Sequence, residues 1–452
     1  MRGLATRLRF ELEDQLRFST MARRFFSRRW RRQGLAMPDA TDQQRINRVK
    51  KLCSAVTLSP DRNARRDIET MILETVASID GSSIDWSETY PDIGNPHLHS
   101  AAILKPYVSP REKGVVIISF EKQWIKLLIR GNAREIADRY TVIIGPSWTP
   151  PHTCGVTIFP KLFPEPVFSM ISHDNDMTTL PRLSNRITPV PLLASNWVNP
   201  SDFAPLPQDQ RDIDVVMVAT FGKYKRHHEL LKALARMPRT LRVQLVGTDN
   251  DDLGASGVHK LARTYGVEDR LVAVGAENYD GVARAFCRAK VSVIMSRREG
   301  SCQAVIESMF ADTPVGILDN AELGSAKYVN DHTGRMLREE HLAEDIMDML
   351  ARTASFGPRS WVMANKVSCY DSTRALNDFL RDHARRAGQE WTRDIVGHAW
   401  NPYPELLPED RGSMAPAYRD MFDRFGLKIG PDSQRWQSPE SGAAVNGAAL
   451  AM

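Results

Sequence analysis

Cysteine is scarce in this sequence, and what there is suits neither a cross-link nor a metal. The five residues (Cys53, Cys154, Cys287, Cys302, Cys369) are odd in number, far apart and without a C-x-x-C pair. That excludes a disulfide framework and a zinc site as organising features. Free thiols in a reducing compartment are expected. Long apolar runs are missing too. No stretch nears the roughly 18 to 20 residues that a membrane span needs. No unbroken apolar segment precedes a small-residue cleavage site near the N-terminus. The expected location is the cytoplasm, extending to a peripheral position at the inner membrane face. Neither a P-loop nor a G-x-G-x-x-G occurs, which argues against ATPase and dehydrogenase chemistry.

Arginine is present in excess, but in one place. Residues 1–36 carry ten arginines against Glu11, Glu13 and Asp14, so the formal charge of +5 is concentrated there and the remainder is slightly acidic. A surface coated by nucleic acid is therefore not expected. The same segment interleaves Leu4, Leu8, Phe10, Leu12, Leu16, Phe18, Phe25, Phe26 and Trp30. Apolar bodies beside cations suit an anionic bilayer surface. The rival reading is a solvated arm without a partner.

The 452 residues leave room for two to three domains at roughly 150 residues each. Residues 37–110 read as a helical and irregular extension. Within it Ile68, Ile72 and Val76 mark one helical face. From Gly114 the pattern changes. Val115 to Phe120 is a near-continuous β-branched run, as in a strand buried on both faces. A helical stretch and a second strand, Thr141–Ile144, follow, then weaker strands at Phe168–Ile171 and Val190–Leu193. Residues 111–200 are expected to form one α/β domain. Residues 208–355 restart the alternation more cleanly, with strands at Asp214–Val218, Arg242–Val246, Leu271–Val274, Val291–Met295 and Val315–Leu318. Strands alternating with helices imply a parallel, doubly wound sheet, with ligands at the carboxyl ends of its strands. Residues 356–395 read as C-terminal helices. Residues 396–452 read as a Pro/Gly-rich, partly disordered tail.

Three features converge on strand ends of the second α/β segment. Ser296-Arg297-Arg298-Glu299-Gly300-Ser301 follows one strand. Glu307 lies eight residues beyond Glu299. Thr220-Phe221-Gly222-Lys223-Tyr224-Lys225-Arg226 follows another strand. Each carboxylate can accept two hydroxyl hydrogen bonds, which suits the vicinal diols of a sugar and a ribose. The helix start near Ser301 offers backbone N–H groups to a phosphate. Lys225 and Arg226 add positive charge where a diphosphate would lie.

Glu299-x7-Glu307, set in Ser-x-x-Glu-Gly…Ile-Glu-Ser-Met…Thr-Pro-Val, resembles the signature of the retaining glycosyltransferase family 4 of the GT-B superfamily. Asn196-Trp197-Val198-Asn199-Pro200-Ser201-Asp202-Phe203-Ala204-Pro205 is similar to that family's interdomain segment, and Gly324 with Thr333-Gly334 fits its closing loop and strand. The good match runs from about residue 196 to 340. The resemblance implies two Rossmann-like, doubly wound domains facing a cleft, with the donor in the C-terminal one. It implies a nucleotide-sugar donor, a glycan or lipid-linked acceptor, and cell-surface polysaccharide or glycoconjugate synthesis. No cofactor and no metal are implied. Glu307 would hold the ribose hydroxyls, Glu299 would contact the transferred sugar, and Lys225 would neutralise the leaving diphosphate. Thr220, Arg226, Gly300, Ser301 and Gly324 would complete the donor site, and His173 would line the cleft.

The sequence also departs from the family. Thr220 stands where an Arg is usual, Asp312 where a Gly is usual, and Glu121-Lys122-Gln123 replaces a glycine-rich loop. The alternatives are a non-catalytic GT-B protein that binds a nucleotide sugar or a partner, and a nucleotide-sugar epimerase. Asp174-x-Asp176 has the spacing of a metal-binding pair in another glycosyltransferase fold. Its other reading, shared with His173, is a capping or turn cluster.

Overall fold

A computed structural model of the protein describes residues 2–81, 83–250, 252–400 and 403–430. Two compact α/β units emerge. Among the described residues, one comprises Glu13–Ala194 with residues 372–430, and the other comprises residues 2–12 with Ser195–Asp371.

Four helices come first: α1 (Arg2–Phe18), α2 (Thr20–Ala36), α3 (Asp42–Leu58) and α4 (Arg62–Ala77). A reciprocal cap starts α3. Gln44 N donates to Thr41 Oγ1 at 3.3 Å, and Thr41 N donates to Gln44 Oε1 at 3.2 Å. Ile68, Ile72 and Val76 on α4 are buried, as their spacing requires. The arginine-rich segment is not a loose arm. Small residues let α2 approach α3 closely: Ser27 Oγ donates to Ala55 O at 2.8 Å. A Cβ on Gly34 would sit 3.0 Å from Leu52 Cδ2. The arginine count pointed to solvent, but the small inner residues decided for docking.

After β1 (His97–Leu98) the first sheet contains β2 (Ala101–Lys105), β3 (Gly114–Ser119), β4 (Tyr140–Gly145), β5 (Val167–Ile171) and β6 (Ile187–Leu193), hydrogen-bonded in that order. β2 is antiparallel to β3, and the others are parallel. This sheet thus begins before residue 111, with an edge strand outside the expected segment. The crossovers carry α5 (Glu121–Arg130), α6 (Ala133–Arg139), α7 (Cys154–Leu162) and α8 (Asp176–Leu183). Right-handed crossovers that always advance in one direction lay their helices on one face.

The second unit holds β7 (Ile213–Val218), α9 (His227–Leu234), β8 (Val243–Val246), α10 (Gly254–Tyr265), β9 (Leu271–Gly275), α11 (Tyr279–Arg288), β10 (Ala289–Ile294), α12 (Gln303–Phe310), β11 (Val315–Leu318), β12 (Gly334–Leu337), α13 (Leu342–Ala351) and α14 (Pro358–Ala364). All six strands are parallel, in the order β9-β8-β7-β10-β11-β12. That is the 3-2-1-4-5-6 order of a doubly wound Rossmann sheet. Val215 and Met217 of β7 enter one hydrophobic core, while Val216 enters the other. The sheet is therefore covered on both faces, as a run of β-branched residues demands.

The chain then returns to the first unit through α15 (Cys369–Arg386), β13 (His398–Trp400), β14 (Pro404–Leu406), α16 (Arg411–Phe425) and β15 (Lys428–Ile429). Phe379 and His383 of α15 pack edge-on against Phe168 of β5, with centroids 5.7 and 4.8 Å away. Tyr418 Oη accepts from Ile103 N of β2 at 3.0 Å. A buried ion pair, Lys105 Nζ to Glu112 Oε1 at 2.8 Å, locks this return. Glu112 also accepts from Thr392 N at 2.8 Å and Thr392 Oγ1 at 2.7 Å. Among the described residues, the Pro/Gly-rich segment that begins at residue 396 therefore carries secondary structure and packs on the first unit. Buried Met414, Tyr418 and Met421 on α16 give it a core-facing stripe that the surrounding Pro and Gly hid. The tail expected from Asp432 lies outside the described residues.

Candidate functional site

Between β7 and β10 the winding of the second sheet reverses. The loops leaving two such strands diverge to opposite faces, and the crevice between them is where an open α/β sheet binds ligands. The loop after β7 carries Thr220 to Arg226, and the loop after β10 carries Ser296 to Cys302. Lys225 Nζ and Glu299 Oε1 lie 2.6 Å apart, joining residues 74 positions apart in sequence. Both side chains are largely buried. Burial works against the Lys225 charge. The Glu299 carboxylate, together with the nearby Cys302 and Tyr224 side chains, outweighs it and holds the ammonium above its ordinary value.

The Glu299 loop is braced by the loop after β11. Glu299 N donates to Glu322 O at 3.0 Å, Glu322 N to Arg297 O at 2.8 Å, Gly324 N to Gly300 O at 3.0 Å, and Ser325 N to Ser301 O at 3.1 Å. Cys302 then takes a left-handed conformation with φ of 52°, which turns the chain sharply into α12. The first turn of that helix has backbone N–H groups without intrahelical acceptors.

Glu307 sits on α12, enclosed. Gln303 Nε2 donates to its Oε1 at 2.8 Å, one turn earlier on the same helix. The Tyr279 hydroxyl at the start of α11 faces the same carboxyl. Burial pushes Glu307 up to about 7. The Gln303 hydrogen bond and the adjacent Tyr279 hydroxyl pull it down, and the nearby Asp202 charge pushes it up again. This carboxyl therefore changes charge near neutral pH.

Arg226 has a different environment from Lys225. It is fully buried, with φ of 58°. Its guanidinium donates to Glu339 Oε1 at 2.6 Å and to Met295 O at 3.4 Å. Arg297 donates to the other Glu339 oxygen at 2.6 and 2.9 Å. One carboxylate, following β12, thus joins the loops after β7 and β10. Burial alone would raise the Glu339 carboxyl, but the two guanidiniums hold it below its ordinary range.

The remaining expected residues are placed as follows. Thr220 is half-buried, and its carbonyl accepts from Gly222 N at 2.7 Å. Gly300, Ser301 and Gly324 lie in the braced loops. His173 belongs to the other unit, just after β5. Its N–H donates to Asp176 Oδ2 at 3.0 Å, and its Nδ1 accepts from Asn175 N at 3.1 Å. Asp176 also accepts from Ser172 N at 2.8 Å, and burial raises it to about 6. The Asp174-x-Asp176 segment is a turn whose second carboxylate caps backbone. Sequence reasoning missed Gln303, Tyr279 and Glu339. Gln303 had a signal, four residues before Glu307 on one helix. Tyr279 and Glu339 arrive from other elements and had none.

Residues 198–355 match the family model described as glycosyl transferases group 1. No curated protein matches the chain. Solved structures with similarity include the pneumococcal O-GlcNAc transferase in complex with UDP and GlcNAc, at 12% identity and a TM-score of 0.42 over 61% of this chain and 57% of that one. A sucrose-phosphate synthase from Thermosynechococcus elongatus is 17% identical with a TM-score of 0.46, covering 74% of this chain and 82% of that one. HepE of Anabaena, in complex with UDP, is 15% identical with a TM-score of 0.46, covering 60% and 79%. The chain spans less than two thirds of the pneumococcal protein's length.

Proposed function

We propose that this chain is a GT-B glycosyltransferase. It moves a sugar from a nucleotide-sugar donor to a glycan or lipid-linked acceptor with retention and without a metal, in cell-surface polysaccharide or glycoconjugate synthesis. The basic N-terminal segment would keep it at the inner face of an anionic membrane. The observation that carries the proposal is the Lys225–Glu299 pair at the sheet's winding reversal, within the segment that matches the glycosyl transferases group 1 model.

The chemistry follows from charge. Breaking the sugar–diphosphate bond leaves negative charge on the departing phosphates. A buried ammonium offsets that charge far better than a solvated one. Glu299 keeps Lys225 protonated and oriented until the donor arrives, and its second oxygen is available to a sugar hydroxyl. Glu307, when ionised, accepts the two ribose hydroxyls. Gly300, Ser301 and Gly324 bring backbone close to the donor.

A second reading has one observation in its favour. The usual Arg is Thr220 here, and Arg226 is already committed to Glu339. The chain would then bind a nucleotide sugar without transferring it. Thermal unfolding with UDP, GDP, ADP and their common sugars tests the site itself. Ligand at about 100 times its dissociation constant adds roughly 2.7 kcal/mol. Stabilisation of the wild type but not of Glu307→Ala is expected. If no nucleotide stabilises the wild type, the donor site is not there. Donor binding with neither hydrolysis nor transfer would favour the second reading.

A further inference from the structure

The outward face of α2 carries a surface of its own. The helix has six arginines and no acidic residue. Ser27 and Gly34 turn inward onto α3, and Arg23 and Trp30 lie partly covered on the same side. The 3.6-residue period then points Met21, Phe25, Arg28, Arg32 and Leu35 away from the unit, flanked by Arg24 and Arg29. Exposure agrees: Met21 is 80% exposed, Phe25 59% and Leu35 42%. Half of the exposed large apolar side chains among the described residues fall between Leu8 and Leu35. A helix that leaves Met, Phe and Leu in water between arginines is built for a second phase. Arg24, Arg28, Arg29 and Arg32 form no ion pair with any described residue, so their charge is available to a partner.

We infer that this face of α2 seats the protein on an anionic lipid bilayer, lying in the plane of the interface. Met21, Phe25 and Leu35 would enter the acyl boundary. The guanidiniums would stay with the headgroup phosphates, their stems covering apolar surface. Charge complementarity selects the partner's sign, and the apolar side chains select a bilayer over a polyanion, which offers nothing to bury Met21 or Leu35. With six arginines, α2 cannot cross the membrane, and no helix among the described residues is long and apolar enough to do so. The helix is already folded and docked, so binding carries little ordering cost. The inference agrees with a lipid-linked acceptor but does not need the donor chemistry.

Co-sedimentation of the full chain with phosphatidylcholine vesicles, with and without phosphatidylglycerol, tests it. Binding is expected only to the anionic vesicles. Each arginine replaced by Gln at positions 24, 28 and 32 should weaken it on the order of fivefold. Met21→Ser with Phe25→Ser should also weaken it at least tenfold. All these positions are exposed, so the variants should unfold at the wild-type temperature. Equal binding to neutral vesicles, or none to anionic ones, overturns the inference. So does an unchanged affinity of the Met21/Phe25 variant combined with tight binding to heparin or duplex DNA, which would make the face a polyanion site. Nucleotide-induced stabilisation of the same variants keeps this outcome separate from the fate of the donor site.

Discussion

Glu307→Gln should make the empty protein more stable and disable its donor site in one step. The reason is the cost of keeping an ionised carboxylate where Glu307 is. Burial moves its titration from an ordinary 4.5 to about 7. At about 1.4 kcal/mol per tenfold change in proton affinity, the ionised form is strained by roughly 3 kcal/mol. The sign follows from which state holds the proton. Below about pH 4.5 both folded and unfolded chains are protonated, and the group has no effect. As pH rises towards 7 the unfolded chain ionises while the folded one does not, so wild-type stability falls relative to Gln. Above 7 both are ionised and the gap stays at its full size. Gln keeps the shape and can still accept from Gln303. Paired thermal unfolding of wild type and variant between about pH 4.5 and 8 should show an advantage of several degrees for Gln, growing with pH. A variant equally or less stable at pH 8, or a gap that does not change with pH, would refute the reasoning. Nucleotide should stabilise the wild type alone, and more weakly below pH 7 as the acceptor carboxylate is lost.

Three further perturbations test the surrounding structure. Glu339→Ala leaves two guanidiniums, Arg226 and Arg297, without their shared carboxylate. It should cost about 3–5 kcal/mol and lower the unfolding temperature, whereas a neutral effect would show that the loops after β7 and β10 do not depend on it. Lys225→Ala should reduce turnover roughly 100-fold or more while leaving the fold intact by circular dichroism; an unchanged kcat removes Lys225 from the chemistry. Glu112, which burial would raise, is held at about 2 by Lys105 and Thr392. Its contribution is present above the ordinary carboxylate range and lost as pH falls towards 2. Glu112→Gln should therefore destabilise at neutral pH and lose its effect near pH 2, as measured by unfolding at both.

Much of the local structure was legible. Runs such as Val115 to Ile118 form strands because β-branched chains favour a pleated, buried surface. The spacing of Ile68, Ile72 and Val76 gives a helix because they share one face. Glu299 and Glu307 could be placed at a strand end and on the next helix because both lie within one short loop-and-helix segment. Reading failed where a residue's fate depends on something distant. Residues 1–36 read as a basic arm, at a bilayer surface or solvated, and nothing local said that Ser27 and Gly34 would dock α2 on α3. The Pro/Gly-rich stretch hid the core-facing stripe of α16. Arg226 and Lys225 are neighbours of the same charge, and nothing local says that one faces Glu299 while the other turns inward to Glu339.

The division has a physical cause. Backbone propensity and hydrophobic period act over a few residues, so the sequence alone determined the strand–helix alternation, the residues that line each strand and the carboxylate pair. The winding order of the strands acts over the whole sheet. It alone brought Lys225 to Glu299 across 74 residues and set Tyr279 against Glu307. The packing of α2 on α3 through Ser27 and Gly34 likewise joins residues far apart in the chain, and it leaves the other face of α2 open.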